Sequence, residues 1–233
     1  MTTQIVRADG SGAMFDQIAK RYDLLNRLMS FGMDRGWRRR LIDAMPSDGP
    51  ILDVATGTAD VALSLAKRHS KAKIIGLDPS RGMLDVGDQK IAKMKLSDRV
   101  SLVQGDAQDM TFDTNQFTGC TIAFGIRNVP DRLQGLKEMT RVVKPGGPIA
   151  ILELSEPQGG FMAPFARLHV HHVVPLMGMI LSGQKEYRYL QKSIEAFPTP
   201  DKFCEIMQNA GLVDIEAHRL TFGVAHLYIG RAS

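Results

Sequence analysis

"ILDVATGTAD", residues 51–60, is an apolar run that ends in a turn with one glycine between two aspartates. Such a run, stopped by glycine and followed by a helical pattern, reads as a buried strand feeding a helix. Turns of this kind cradle nucleotides. The dinucleotide fingerprint places G-x-G-x-x-G directly after the first strand. Here the residues are Ala55-Thr56-Gly57-Thr58-Ala59-Asp60, so a single glycine remains. No Gly-Lys-Ser/Thr follows, which excludes the P-loop. Asp53 and Asp60 are expected to flank the ligand. Carboxylates at a helix N-terminus occupy its positive end and repel phosphate. The turn therefore suits a cationic ligand.

Outward from this turn, strands and helices alternate. "KIIGLD" (73–78), "VSLVQGD" (100–106), "GCTIAFG" (119–125) and "PIAILEL" (148–154) read as strands. "DVALSLAKRH", "SRGMLDVGDQKIAKM" and "DRLQGLKEMTRVV" read as the helices between them, the last stopped by "KPGG". This order implies parallel βαβ units in a doubly wound α/β sheet. The end of the chain differs. "LVDIEAHRL" and "GVAHLYIGR" are separated only by "TF", too short for a crossover, so they must pair antiparallel. The expectation is a Rossmann-like, seven-stranded mixed sheet with one strand reversed.

Two stretches fall outside the alternation. In residues 13–45, Phe15, Ile18, Ala19, Tyr22, Leu25 and Leu28 recur at helical steps, and a second helix carries Trp37, Leu41 and Ile42. Residues 1–45 are expected to form a helical cap and 46–233 the main domain. Residues 156–200 are rich in apolar residues and methionine. Arg167, His169, His171 and His172 interrupt them, as do Pro164, Pro175 and Gly178, which argues against a transmembrane helix. A helical lid over an apolar site is expected there.

The composition is 44% hydrophobic and 23% charged over 233 residues, with a net charge of +4. That suits one soluble domain with a sizeable core and argues against disorder or a coiled coil. The N-terminal residues lack the apolar core of a signal peptide. Cys120 and Cys204 form no CxxC and read as free thiols in a reducing cytoplasm. Only 6% of residues are aromatic, and apart from Trp37 inside "RGWRRR" (35–40) the basic residues are not interleaved with aromatics, so a nucleic-acid partner is not expected.

S-adenosylmethionine (SAM) is a cationic nucleoside without phosphate. Asp78 ends the second strand, where an acidic residue accepts hydrogen bonds from ribose hydroxyls. Gly105-Asp106-Ala107 ends the third, where Asp106 and the Ala107 N–H suit an adenine edge. Acidic positions at successive strand ends make a coherent adenosine site.

"LDVATGTAD", "GLDPSRGML", "GDAQD" and "RVVKPGG" resemble the successive motifs of class I SAM-dependent methyltransferases. "MFDQIAKRYDLLNRLMSFGMDRGWRR", "FGIRNVPD" and "YLQKSIEAFPTPDKF" narrow the resemblance to the ubiquinone/menaquinone biosynthesis C-methyltransferases. Within that family the chain is most similar to the demethylmenaquinone methyltransferases. The resemblance implies methylation of demethylmenaquinol, with a methoxy-benzoquinol of the ubiquinone branch as the alternative. It implies SAM contacts at Gly57, Thr58, Asp78, Asp106 and Ala107. Three departures stand out: Ala59 for a usual glycine, Ala123 for a serine, and Pro148 for a basic residue. A methyl at Ala59 is expected to crowd the ligand if the turn needs positive φ.

Ring methylation needs a phenolate-like carbon nucleophile, and a phenol ionises only near pH 10. Arg127 is the expected oxyanion stabiliser, with Asn128 donating beside it. A water or one of His169, His171 and His172 is expected to take the proton. No metal is needed. A prenylated quinol lives in a bilayer, so peripheral membrane contact from the cytoplasm is expected, helped by Arg35, Arg38, Arg39 and Arg40. The sequence leaves the oligomeric state open, a homodimer included.

Overall fold

The computed structural model describes residue 30, residues 32–155 and residues 184–233. The first cap helix, residues 156–183 of the lid, and His169, His171 and His172 lie outside the described residues.

The first described helix, α1, spans Asp34–Asp43. Then β1 (Asp48–Val54), α2 (Asp60–Arg68), β2 (Lys71–Asp78), α3 (Arg81–Lys93), β3 (Val100–Gln104) and β4 (Gly119–Ala123) alternate as expected. A 3-10 turn (Ile126–Asn128) leads to α4 (Arg132–Val142) and β5 (Pro148–Leu154). Helices α5 (Gln184–Glu195) and α6 (Pro200–Asn209) precede β6 (Leu212–Leu220) and β7 (Ala225–Ala232).

The seven strands stand in the order β3-β2-β1-β4-β5-β7-β6. β1 pairs parallel with both β2 and β4, β4 with β5, and β2 with β3. β7 is antiparallel to β5 and to β6. The strand order reverses between β1 and β4, the place where open α/β sheets bind ligands, beyond the carboxyl ends of the strands. Because β7 is reversed, its first residues lie at that same edge.

Both sheet faces are covered, which is why β1, β4 and β5 read as near-continuous apolar runs rather than alternating ones. One face packs Leu52, Val54, Ile122 and Ile151 against Leu136 and Met139 of α4 and Phe203 and Met207 of α6. The other packs Ile51, Ile74 and Leu152 against Trp37 and Leu41 of α1 and Val61, Ala62 and Leu65 of α2. The cap helix α1 thus shares the main core. The Trp37 indole N–H also donates to Thr221 Oγ1 at 2.8 Å, tying α1 to the turn before β7.

Helix α6 was not expected from the alternation pattern. Its signal lies in "TPDKFCEIMQNA": proline at the first turn, then Phe203, Met207 and Ala210 at steps of four and three.

Candidate functional site

The site grows from the turn after β1. Ala55, Gly57 and Ala59 all adopt left-handed backbone, with φ of 49°, 56° and 65°. Three left-handed residues within five draw the turn tightly against its neighbours. Thr56 N–H donates to Leu77 O at 3.0 Å, and Gly57 N–H to Asp78 Oδ2 at 2.8 Å. Asp78, buried at the tip of β2, also accepts Ser80 N–H through Oδ1 at 2.9 Å. One carboxylate therefore sets two loops against each other. Nothing lies within 4 Å of the place a Cβ would take on Gly57, so the turn is open on that side. Across the crevice Gly125 passes so close to Ala55 that an added Cβ would sit 2.5 Å from the alanine methyl.

Ala59 sits in the left-handed region yet does not crowd this opening. It is fully buried, with its methyl facing α3, where a Cβ on Gly87 would approach it to 3.2 Å. The substitution leaves the open side unchanged and places its strain, about 1–2 kcal/mol for an L-residue in this region, inside the core.

Two aspartates expected beside the ligand are spent on structure. Asp53 is 1% exposed, accepting Thr56 Oγ1 and Thr121 Oγ1, each at 2.7 Å. Burial pushes its carboxyl up to about 6, against the lowering effect of the two hydroxyls and of the Arg38 charge. Asp60 pairs with Lys90 Nζ at 2.7 Å, and the same ammonium donates to Thr58 Oγ1 at 2.8 Å. The Thr58 hydroxyl thus faces α3 rather than the opening. The charge that suits a cationic nucleoside rests instead on Asp78 and Asp106.

Asp106 lies just past β3, half-buried, with Ala107 beside it. Gln108 holds its carboxylate through the backbone N–H (2.9 Å to Oδ1) and the side-chain amide (3.1 and 3.2 Å). Gln108 Oε1 then accepts Asp131 N–H at 2.9 Å, joining the tip of β3 to the start of α4. Gly57, Asp78, Asp106 and Ala107 all fall on one edge of the sheet, at the tips of three adjacent strands. An open turn, strand-tip carboxylates and compact backbone fit SAM. The same features do not fit a diphosphate.

The β4 tip carries the second half of the site. Phe124 is strained, with φ of 58°, unusual for a bulky residue. Its ring meets Trp37 at 6.3 Å, and the Arg38 guanidinium lies 5.3 Å above it. Arg127 is not an open oxyanion clamp. Its Nη1 donates to Glu153 Oε1 at 2.6 Å and to Phe124 O at 2.7 Å, and its backbone N–H to Glu153 Oε2 at 3.1 Å. The pair is almost wholly buried, with side chains 7% and 0% exposed. A charge taken out of water needs such a partner, so the guanidinium is committed to Glu153 and anchors the turn. Asn128 is half-buried and accepts Tyr189 O–H of α5 through Oδ1 at 3.2 Å. Its amide N–H groups are left to donate elsewhere.

Sequence reasoning missed Glu153, Lys90, Thr121 and Tyr189. For Glu153 a signal existed: an acid inside "PIAILEL" must find a cation when both sheet faces are buried. The others depend on tertiary neighbours that local pattern does not encode.

The ubiE/COQ5 methyltransferase family profile matches residues 4–232. A "Ubiquinone/menaquinone biosynthesis C-methyltransferase UbiE" of Geotalea daltonii is 44% identical over 220 residues, covering 93% of this chain and 94% of that protein. A "Demethylmenaquinone methyltransferase" of Deinococcus radiodurans is 41% identical, covering 93% and 90% respectively. Among solved structures, a SAM-dependent methyltransferase from Aquifex aeolicus superposes with a TM-score of 0.67 at 16% identity, covering 94% of this chain and 98% of that one. Haemonchus contortus phosphoethanolamine N-methyltransferase 2, in complex with S-adenosyl-L-methionine, gives 0.68 at 14% identity over 93% of this chain and 59% of that one. These two share the fold.

Asp53 carries a pH signature. Its folded carboxyl ionises near 6 against 3.8 unfolded, so the native state holds the extra proton between these values. Its contribution to stability is present below about pH 4 and is lost as pH rises through about 6. The size is about 3 kcal/mol at one pKa unit per 1.4 kcal/mol. Asp53→Asn is expected to remove this component. The stability difference between variant and wild type, from urea unfolding at pH 4 and pH 7, then shifts in favour of the variant at the higher pH. A difference independent of pH contradicts the assignment.

Proposed function

We infer the function of this chain from one premise: it belongs to the ubiE/COQ5 methyltransferase family and is a SAM-dependent C-methyltransferase. Its substrate in this reading is demethylmenaquinol, methylated on the ring to menaquinol. A 2-polyprenyl-6-methoxy-benzoquinol is the alternative, since relatives at 40–44% identity carry names from both uses. The observation that carries the reading is the linked pair of strand tips: the Asp78 carboxylate holding the Gly57 turn at 2.8 Å, with the space above that turn open.

Bound SAM would supply an electrophilic methyl group on sulfur. The residues then divide the work. Asp78 accepts from the ribose hydroxyls while keeping the turn in place. Asp106 and the Ala107 N–H meet the adenine edge. The backbone of Gly57 and Thr58 lies under the methionine portion. The acceptor ring lies over β4 and β5. There the Asn128 amide, oriented by Tyr189, donates to the ring oxygen that becomes negative. Arg127 supports Asn128 from behind, and its pairing with Glu153 holds the 3-10 turn rigid. Such placement lowers the barrier by fixing the carbon and the methyl at about 3–3.5 Å. An apolar surrounding assists, because the opposite charges of the reactants are dispersed in the transition state.

The substrate's tail makes a membrane surface the natural source of the quinol. No helix among the described residues is long and apolar enough to cross a membrane. Arg35, Arg39 and Arg40 project from the exposed face of α1, whereas Arg38 is drawn in against Phe124 and Asp34. The first three are the lipid-facing cations in this reading.

Two experiments test it. Protein incubated with SAM and either demethylmenaquinol or the methoxy-benzoquinol is expected to give a 14-dalton mass gain on the naphthoquinol. Asn128→Ala lowers the rate about 10²-fold (roughly 10²–10³ for one oxyanion donor). Methylation of the benzoquinol alone overturns the choice of substrate. In flotation with phosphatidylglycerol vesicles the protein is expected to rise with the lipid, less so at high salt and less so when Arg35, Arg39 and Arg40 are changed to Ala. Protein that stays in the soluble layer contradicts the peripheral contact.

A further inference from the structure

The edge of the sheet that carries Arg127 and Glu153 also carries a serine–histidine pair. Ser155 follows β5 and His226 is the second residue of β7. The Ser155 hydroxyl donates to Gly223 O at 2.9 Å and lies 2.6 Å from His226 Nδ1. A carbonyl only accepts, so the single hydroxyl proton goes to Gly223. The short contact to His226 is then a hydrogen bond only if Nδ1 carries the proton and donates. In the neutral ring, satisfying both contacts puts the proton on Nδ1, toward Ser155, and leaves the lone pair on Nε2. Both residues are nearly buried, at 6% and 8% exposed, but Nε2 is not among the described side-chain atoms that are both sealed from solvent and lacking a partner.

The register shows which groups surround the ring. Glu153 is the cross-strand partner of His226 on β5, and Arg219 its partner on β6. Cross-strand partners share a face, so the ring stands beside the Glu153–Arg127 pair. Tyr228 stacks against it, with ring centroids 5.9 Å apart. The described charged and titratable groups around the ring are thus Glu153 with Arg127, Arg219 and Tyr228. Glu153 is already neutralised by Arg127, so it does not draw a proton onto the imidazole. Partial burial, with the Arg219 charge, holds the imidazole below its ordinary range.

We propose that His226, held by Ser155, is the general base that removes the quinol hydroxyl proton through Nε2. The inference rests on the reading of the site as a quinol methyltransferase. In the step, the O–H bond breaks and Nε2 takes the proton, leaving a phenolate. As the ring carbon–methyl bond forms and the methyl–sulfur bond breaks, the oxygen becomes a carbonyl. The ring carbon then loses its own proton to solvent, the imidazolium returns its proton to the oxygen, and the ring is again aromatic. One proton is released per methyl transferred. Ser155 is the positioning residue: it presents the lone pair of Nε2 to the substrate in the one useful tautomer.

His226→Asn retains a donor for Ser155 and lacks the base. It is expected to lower kcat about 10²-fold or more (10²–10⁴ for a general base), with SAM affinity and melting temperature near those of wild type. His226→Ala is expected to regain activity when imidazole is added. In wild type, a two-bond ¹H–¹⁵N spectrum at pH 7.5 is expected to show His226 protonated on Nδ1 only. Full kcat in His226→Asn overturns the proposal. So does loss of activity that tracks loss of SAM binding and is not rescued by imidazole, or an Nε2–H tautomer. A wild-type protein that methylates neither quinol overturns the functional reading instead, and the base with it; the NMR result then stands by itself as a statement about the ring.

Discussion

The Asp78 carboxylate, accepting Gly57 N–H through one oxygen and Ser80 N–H through the other, is the constraint on which the site depends. It joins the turn after β1 to the loop after β2. Charge-assisted bonds of this kind are about twice as strong as neutral ones. They help to hold the left-handed residues at 55, 57 and 59 in place. Their strain persists because the surrounding structure over-determines it. Asp53 braces the same turn from below through Thr56 and Thr121, and Lys90 braces its far side through Thr58 and Asp60.

The fold was legible in the sequence because its two kinds of apolar pattern are distinct. Apolar runs of strand length alternate with helical patterns, and the two-residue "TF" link forces an antiparallel pair. The shared edge of Asp78 and Asp106 was legible for a related reason: aspartates that end neighbouring parallel strands fall on one edge of the sheet. Less was legible where a side chain chooses between partners. Nothing local distinguishes Asp53, which turns into the core, from Asp78, which stands at the rim; both follow apolar strand residues. Arg127 looked free in "FGIRN" because its partner, Glu153, is 26 residues away on β5. Ala59 looked obstructive because its side is set by the left-handed φ and by Gly87 of α3.

Buried charge recurs through this half of the molecule, and its arrangement separates structural from chemical roles. Glu153 and Arg127 cancel one another, so each is costly to remove and of little use as an acid or base. Asp53 lowers its own cost by holding a proton more tightly. His226 differs: its hydrogen bond to Ser155 leaves one nitrogen uncommitted, beside a pair that does not perturb it strongly. In the proposed reading, the methyl-donor half of the site uses fixed acceptors and backbone, and the acceptor half a donor, Asn128, and a base, His226.

The most direct test of the account is the affinity for S-adenosylhomocysteine, measured by calorimetry, in wild type and in Asp78→Asn. A carboxylate that both serves the ribose and holds the Gly57 turn predicts a loss of at least tenfold in affinity, because the amide cannot accept through both of its heavy atoms. Unchanged affinity in a folded Asp78→Asn protein would mean that the nucleoside sits elsewhere, and the site described here would be contradicted.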